Sequence, residues 1–152
     1  MKNNLAIIIL AAGKGTRMNS SIPKVLHKIN KKTMIEHVIE KTNSLKPKKL
    51  IVVIGYEAEQ VKENLNHYNI EYVMQEKQLG TGHAVMQCDE ILKDFNGDTL
   101  ILSGDVPLIT TNTLINLYQN HQSHNTEATI LSAKIDNPYG YGRIIKSNKK
   151  FI

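Results

Sequence analysis

The sequence predicts an α/β fold in which a doubly wound, mostly parallel sheet carries helices on both faces, as in Rossmann-like domains. Short apolar runs rich in β-branched residues, at 6–10 and 50–55, indicate strands that are buried on both faces. Segments with helical spacing of apolar residues lie between these runs, so strands and helices alternate along the chain. Glycine-containing loops follow several strands, at the edge where such sheets form their ligand crevices.

Each element is predicted from its own local pattern. After the first strand, Thr33 and Glu36 have the spacing of a capping box, which predicts a helix that ends before Lys46 and Pro47. The other predicted strands are at 50–55, 71–74, 99–102, 128–133 and 144–146, and the other helices at 58–66, 84–93 and 113–124. A turn at 147–150 is expected to lead into a partner strand at 151–152.

The composition indicates one globular domain. The 152 residues are 41% hydrophobic and 22% charged, and the apolar start is too short for a transmembrane helix and lacks a signal peptide's layout, so we predict a cytoplasmic protein. The net charge of +5 permits anionic partners, but the lysines are scattered and aromatic residues are scarce. We therefore expect neither nucleic acid nor a membrane as a partner. The single cysteine, Cys88, is expected to be a buried thiol.

A glycine loop at 10–15 leaves the carboxyl end of the first strand, and Arg17 and Lys24 follow it. Small residues allow a ligand to approach the main chain, and Gly13 and Gly15 can adopt positive φ, which leaves N–H groups facing an anion. The two cations add charge suited to phosphate. The spacing matches neither the dinucleotide fingerprint nor the P-loop. Because such a turn often only redirects the chain, the residues alone leave a phosphate site and a plain turn equally open.

A second informative stretch, at 75–84, again joins polar amides to close-set glycines after a strand. A carboxamide such as that of Gln75, or a pair of backbone groups, can supply both the donor and the acceptor that a uracil edge requires. We expect His83 to have a structural role near the start of the next helix.

A third stretch places Asp105 at the end of the fourth predicted strand, beside Gly104. A carboxylate in that position is costly to leave uncompensated. Its partner could be a metal ion, or it could accept N–H bonds in the following turn, and the spacing leaves both open. A turn-rich stretch at 136–144 contains Gly140 and is equally compatible with a plain hairpin.

Four motifs give the chain a resemblance to the sugar-1-phosphate nucleotidyltransferases. In this sequence they are residues 10–18 followed by Pro23 and Lys24, 75–84, 103–108 and 140–144. The second motif resembles the uracil-reading segment of N-acetylglucosamine-1-phosphate uridylyltransferases. The resemblance implies uridylyl transfer from UTP to N-acetylglucosamine 1-phosphate, which gives UDP-N-acetylglucosamine and pyrophosphate for peptidoglycan and lipopolysaccharide precursors.

The resemblance also implies roles for particular residues. Arg17, Lys24 and Asp105 would be catalytic, with Asp105 as a ligand of Mg²⁺, and Gly140 would lie against the amino sugar. A tyrosine often stands in relatives at the position of Ser103. The implied nucleotide-binding residues are Leu10, Ala11, Ala12, Gly13, Gln75, Gly80, Thr81, Ser103 and Gly104.

The resemblance further implies that residues 1–152 are the amino-terminal part of one uridylyltransferase domain. The hexapeptide repeats of the acetyltransferase domain that accompanies it in full-length members are absent from this sequence. Since the family's second metal ligand comes from a later segment, we expect residues 1–152 alone to be nearly inert. Full-length members form homo-oligomers, mainly through that second domain. Two alternatives stay open, a transferase for another sugar phosphate and a catalytically dead nucleotide-sugar-binding chain.

Overall fold

The structure is a computed structural model that describes residues 4–15, 18, 20–124, 126–147 and 150–151. The first half of the described chain contains β1 (Leu5–Leu10), a 3₁₀ turn (Lys24–Leu26), β2 (Lys28–Ile29), β3 (Lys32–Thr33), α1 (Met34–Asn43), β4 (Lys49–Ile54) and α2 (Ala58–Asn64). The second half contains β5 (Glu71–Met74), α3 (Thr81–Met86), α4 (Asp89–Leu92), β6 (Asp98–Ser103), α5 (Thr111–His124), β7 (Lys146–Ser147) and β8 (Lys150–Phe151).

The central sheet has four parallel strands in the order β5-β4-β1-β6. Ile8 of β1 pairs with Ile51 of β4 on one side and with Ile101 of β6 on the other. The chain therefore adds β4 and β5 outward on one side of β1 before it crosses to β6 on the other. The change of direction lies between β1 and β6, and their carboxyl ends border the crevice where α/β sheets bind ligands.

Helices cover both faces of this sheet, and the alternation of β1 side chains shows how. Ile7 and Ile9 point into a core with α1, α2 and α5. Ile8 instead packs with the opposite-facing residues of β4 and with Ala84 and Cys88 of the α3–α4 region. The doubly wound α/β fold predicted from the sequence is therefore confirmed. Burial of such aliphatic side chains, each contributing about 1.5–3 kcal/mol, is the main stabilising term.

The predicted helix at 84–93 is in fact two short helices, α3 and α4. The backbone N–H of Cys88 donates to Val85 O at 2.9 Å, a tighter turn than the α-helical pattern, and α4 begins at the next residue. Cys88 is buried, as predicted. Burial, together with the charge of Asp89, raises the pKa of its thiol to about 11. A thiol with that pKa carries little thiolate near neutral pH and is a poor nucleophile.

The predicted strand at 128–133 is wrong, because residues 126–135 form no strand. They run beside β6 and α5 without pairing, and a cavity of about 610 Å³ separates 127–131 from these two elements. Ile130 and Leu131 remain more than half exposed. The β-branched pattern indicated strand propensity, but a strand also requires a hydrogen-bonding partner, and β6 pairs only with β1 in the described part of the chain.

Two antiparallel hairpins stand outside the central sheet. β7 and β8 confirm the hairpin predicted near the end of the sequence, but the first strand begins at Lys146, so Ile144 and Ile145 lie before it and are exposed. Residues 148, 149 and 152 of this prediction lie outside the described residues. The hairpin of β2 and β3 was not predicted, although Asn30, whose φ of 59° suits a tight turn, stands between the strands.

No helix among the described residues is long and apolar enough to cross a lipid bilayer.

The predicted capping box at the start of α1 is present. Thr33 Oγ1 accepts a hydrogen bond from the Glu36 backbone N–H at 3.4 Å, and the Glu36 carboxylate accepts one from the Thr33 N–H at 2.7 Å. Because Thr33 is almost fully buried, water cannot replace these partners. The box therefore fixes where α1 begins, and α1 covers one face of β1 and β4.

We expect Thr33→Ala to lower the free energy of unfolding by about 1 kcal/mol, since it removes the acceptor for an orphan N–H of α1. Urea denaturation monitored by circular dichroism measures this change. Ser132→Ala is the control, because Ser132 is exposed and its hydroxyl has no partner among the described residues. Equal stability of the two variants would contradict the capping role.

Candidate active site

The carboxyl ends of β1, β5 and β6 open into one cavity of about 360 Å³. Four separate segments of the sequence supply its walls: the loop after β1, the 3₁₀ turn, the loop after β5, and the end of β6. Most of the predicted site residues meet here. The predicted residues that line the cavity are Leu10, Ala11, Ala12, Gly13, Lys24, Gln75, Gly80, Thr81, Ser103 and Asp105.

Two of the described site residues that were predicted, Gly104 and Gly140, are not part of this lining. Gly104 lies beneath it, where its N–H donates to Leu10 O at 2.9 Å, and a Cβ there would come within 3.1 Å of that oxygen. Gly140 is exposed in a segment that does not reach the cavity, so its predicted contact with the sugar stays a prediction. Arg17 lies outside the described residues.

The loop after β1 presents free backbone donors. Within the described chain, the N–H groups of Ala12, Gly13, Lys14 and Gly15 have no hydrogen-bond acceptor. Gly15 has a φ of 59°, as expected, whereas Gly13 does not adopt positive φ. A Cβ on Gly15 would also lie 2.7 Å from Lys24 Cβ, so this glycine lets the lysine approach the loop. Consecutive unpaired N–H groups beside a lysine can bind an anion such as phosphate.

Lys24 and Asp105 form an ion pair across the cavity, with Nζ and Oδ2 2.6 Å apart. Ser103 Oγ donates to the other carboxylate oxygen, Oδ1, also at 2.6 Å. Burial raises the pKa of Asp105, but the hydrogen bonds from Lys24 and Ser103 outweigh that effect and lower the pKa below its usual value. The carboxylate is therefore ionised at neutral pH and held by donors on both oxygens.

The charge and chemistry of Asp105 fit a hard divalent cation. Its carboxylate already binds one cation, the Lys24 ammonium, and oxygen ligands are those that Mg²⁺ prefers. No group of three metal-ligating side chains occurs among the described residues. One carboxylate suits a metal ion whose remaining ligands are phosphate oxygens and water.

The loop after β5 encloses the other end of the cavity around a buried amide. Gln75 is only 4% exposed, and its Nε2 donates to Gly80 O at 3.1 Å and lies 3.0 Å from His83 Nδ1. Gly80 has a φ of 106°, a backbone conformation that residues other than glycine rarely adopt. Gln78 Nε2 donates to the backbone O of Gln75 at 3.1 Å. These bonds hold the loop together and connect it to His83, whose structural role stays a prediction.

No motif in the sequence predicted a role for Gly55 beside this cavity. This glycine follows β4, and a Cβ there would lie 2.9 Å from Gln75 O, 2.9 Å from Gln78 Nε2 and 3.0 Å from Ala12 Cβ. The absence of a side chain at Gly55 therefore lets the loops after β1 and β5 pack together. The available signal was its place directly after a strand, which it shares with Gly104.

A parallel sheet with backbone donors, an acidic residue and a polar amide at the carboxyl edge of its strands is typical of nucleotide-binding α/β domains. Comparison with known families specifies which one. Residues 7–145 match the family described as the MobA-like NTP transferase domain, and the chain belongs to this family.

Individual relatives agree with this assignment. The chain is 50% identical over 143 residues to a "Bifunctional protein GlmU" of Synechococcus sp., which covers 94% of this chain and 23% of the relative. It is 52% identical over 141 residues to the protein of the same name from Streptococcus agalactiae, covering 93% and 30%. The chain thus spans between about a quarter and a third of the length of the curated relatives it matches.

A solved structure supports the fold. The chain resembles Rv0371c from Mycobacterium tuberculosis, solved in complex with manganese, with a TM-score of 0.61 and 18% identity. The superposition covers 78% of this chain and 60% of that one.

If this chain binds UTP, as its resemblance to the sugar-1-phosphate nucleotidyltransferases implies, Gly55→Ala is expected to weaken that binding by about tenfold, because the added methyl group separates the loops that form the cavity, at an overpacking cost of about 1–3 kcal/mol. Isothermal titration calorimetry with UTP measures the effect, and circular dichroism checks that the fold is kept. Gly142→Ala is the matched control, since a Cβ there meets no atom within 4 Å. Unchanged UTP affinity in a folded Gly55→Ala variant would contradict the packing role.

Proposed function

We propose that this chain is the amino-terminal part of a uridylyltransferase domain that joins UTP and N-acetylglucosamine 1-phosphate to give UDP-N-acetylglucosamine and pyrophosphate. The observation that carries the proposal is the arrangement in one cavity of the Lys24–Asp105 ion pair at one end and the buried Gln75 amide at the other. This pairs a site for phosphate and metal with a site for a base. The family and the GlmU relatives support the same reading.

The reaction forms a bond between an oxygen of the sugar phosphate and the α-phosphorus of UTP, and it breaks the bond from that phosphorus to pyrophosphate. The attacking phosphate oxygen is already anionic, so no side chain has to remove a proton. The protein's task is to position the groups and to neutralise negative charge. Lys24 is the residue we assign to the α-phosphate. The N–H groups of the loop after β1, which have no acceptor among the described residues, bind further phosphate oxygens. Arg17 retains its predicted catalytic role.

Asp105 is the residue we assign to hold Mg²⁺, with Ser103 orienting its carboxylate. When bound, the metal ion neutralises charge on the phosphates and on the departing pyrophosphate. Oδ2 of Asp105 is occupied by the Lys24 ammonium, so the carboxylate and the lysine have to separate before each can bind its own ligand. Lys24 then becomes free for phosphate.

Gln75, Gly80 and Thr81 are the residues we assign to the uracil base. Support comes from their common place in the lining of the cavity and from the burial of the Gln75 amide. The contact of Gly140 with the sugar, the cytoplasmic location and the homo-oligomeric assembly of the whole protein belong to this proposal as further expectations.

We expect Asp105→Asn to abolish the strengthening of UTP binding by Mg²⁺ and to leave metal-free binding of UTP equal or tighter. The neutral amide is a poor Mg²⁺ ligand, and it no longer holds the Lys24 ammonium away from phosphate. Calorimetric titration with UTP, with and without Mg²⁺, measures both effects. Asp94→Asn, at an exposed position without a charged partner in the described chain, is the control. A Mg²⁺ effect that survives in Asp105→Asn would overturn the metal assignment.

We expect the chain to bind UTP at least about tenfold more tightly than CTP. Uracil has a donor at N3 and an acceptor at its exocyclic oxygen, whereas cytosine has an acceptor at N3 and a donor at its amino group. A site that fits uracil therefore leaves buried polar groups unpaired when cytosine binds, at a cost of about 1–3 kcal/mol. Parallel titrations with the two nucleotides under one set of conditions measure the ratio. Equal affinities would rule out the base-reading role of Gln75, Gly80 and Thr81.

A further inference from the structure

The Gln75 amide uses both of its N–H groups inside the protein. Its nitrogen donates to Gly80 O at 3.1 Å and lies 3.0 Å from His83 Nδ1, and a carboxamide nitrogen has two hydrogens for these two partners. Its oxygen, Oε1, accepts no hydrogen bond from any described residue, although Gln75 lines the cavity. The amide therefore offers a ligand an acceptor and no donor.

The neighbours of the Gln75 amide determine which of its two terminal atoms is the nitrogen. A backbone carbonyl can only accept, so the Gln75 atom 3.1 Å from Gly80 O has to be the donor. His83 Nδ1 then has to accept from that same nitrogen, and the ring proton of neutral His83 lies on Nε2. One backbone carbonyl and one histidine nitrogen thus hold the amide in a single orientation.

A second glutamine, Gln87, also contacts the His83 ring. The amide nitrogen of Gln87 lies 3.3 Å from His83 Nε2, which on its own would favour an unprotonated Nε2. However, the shorter bond of that nitrogen, 3.0 Å, goes to the backbone O of His83. Since Gln87 has this acceptor, it does not need the ring nitrogen, and the contacts of Gln75 determine the tautomer.

We propose that His83 is a positioning residue for base selection: by accepting a hydrogen bond from the Gln75 amide, it keeps Oε1 of Gln75 as the acceptor that faces the nucleotide. The inference rests on the proposed role of Gln75 in reading the base. The class of ligand it favours is a pyrimidine with a hydrogen on N3, such as uracil, because that N3–H donates to Oε1. Cytosine has an unprotonated N3 that would meet Oε1 as a second acceptor.

The proposal has a specific consequence for a chain that lacks the acceptor at position 83. Gly80 O then holds the amide by one hydrogen bond instead of two, and the second N–H of Gln75 is free to turn toward an acceptor on the ligand. Such a turn relieves the penalty for cytosine and weakens the bond to uracil. The ratio of UTP to CTP affinity therefore falls, whereas a general loosening of the site would weaken both nucleotides alike.

The matched pair His83→Leu and His83→Asn tests this, because the two side chains have nearly the same shape and only asparagine keeps a polar acceptor close to the position of Nδ1. Calorimetric titrations with UTP and with CTP give the affinity ratio for each variant. We expect His83→Leu to lower the ratio about fivefold, the equivalent of one net hydrogen bond of about 1 kcal/mol, and His83→Asn to keep it within about twofold. Equal weakening of both nucleotides in His83→Leu would overturn the proposal.

Two further readouts separate the possible failures. If the unaltered chain itself shows no preference for UTP, the proposed base site is wrong, whereas a preference that His83→Leu leaves intact contradicts only the role of His83. If His83→Leu does not fold, long-range ¹H–¹⁵N spectra of the unaltered chain at mildly alkaline pH provide the test. A proton on Nε2 supports the proposal, and a proton on Nδ1 overturns it.

Discussion

The sheet and the candidate site both depend on the burial of residues 5–9 of β1. Residues 5–9 have no exposed surface, and the strand pairs along its length with β4 on one side and β6 on the other. Because all three strands run parallel and in register, the loops that follow them emerge at one edge. The polar and glycine residues that line the cavity lie at that edge, where the strands end. The burial of β1 thus accounts both for the apolar centre of the sheet and for the polar residues at its carboxyl edge.

The sequence predicted the elements whose pattern is decided by burial and by local capping. The strands β1, β4, β5 and β6 are short apolar runs, and Thr33 with Glu36 marks the start of α1. The failures have a different origin. Residues 128–133 have strand composition, yet a strand also depends on a neighbour, which no local pattern contains. The break at Cys88 was missed because apolar spacing continues across the tighter turn.

The sequence predicted which residues belong to the candidate site, but not which of them contact one another. The rule that ligands bind where parallel strands end, together with the family resemblance, located Lys24, Gln75 and Asp105. The ion pair of Lys24 with Asp105 joins residues 81 positions apart in the sequence, and only the packed sheet brings them together. The bond between Gln75 and His83 is local, but its direction depends on Gly80 O, so the orientation of the Gln75 amide could be derived only from the structure.

The position of β6 at the border of the sheet limits how this site can be extended. A further parallel strand beside β6 would end next to Ser103 and Asp105, about 5 Å away in the hydrogen-bonding direction. A strand added beyond β5, at the opposite border, would end near Gln75 instead. Growth of the sheet at one border therefore brings new side chains to the end of the cavity that contains Asp105, and growth at the other border brings them to the end that contains Gln75.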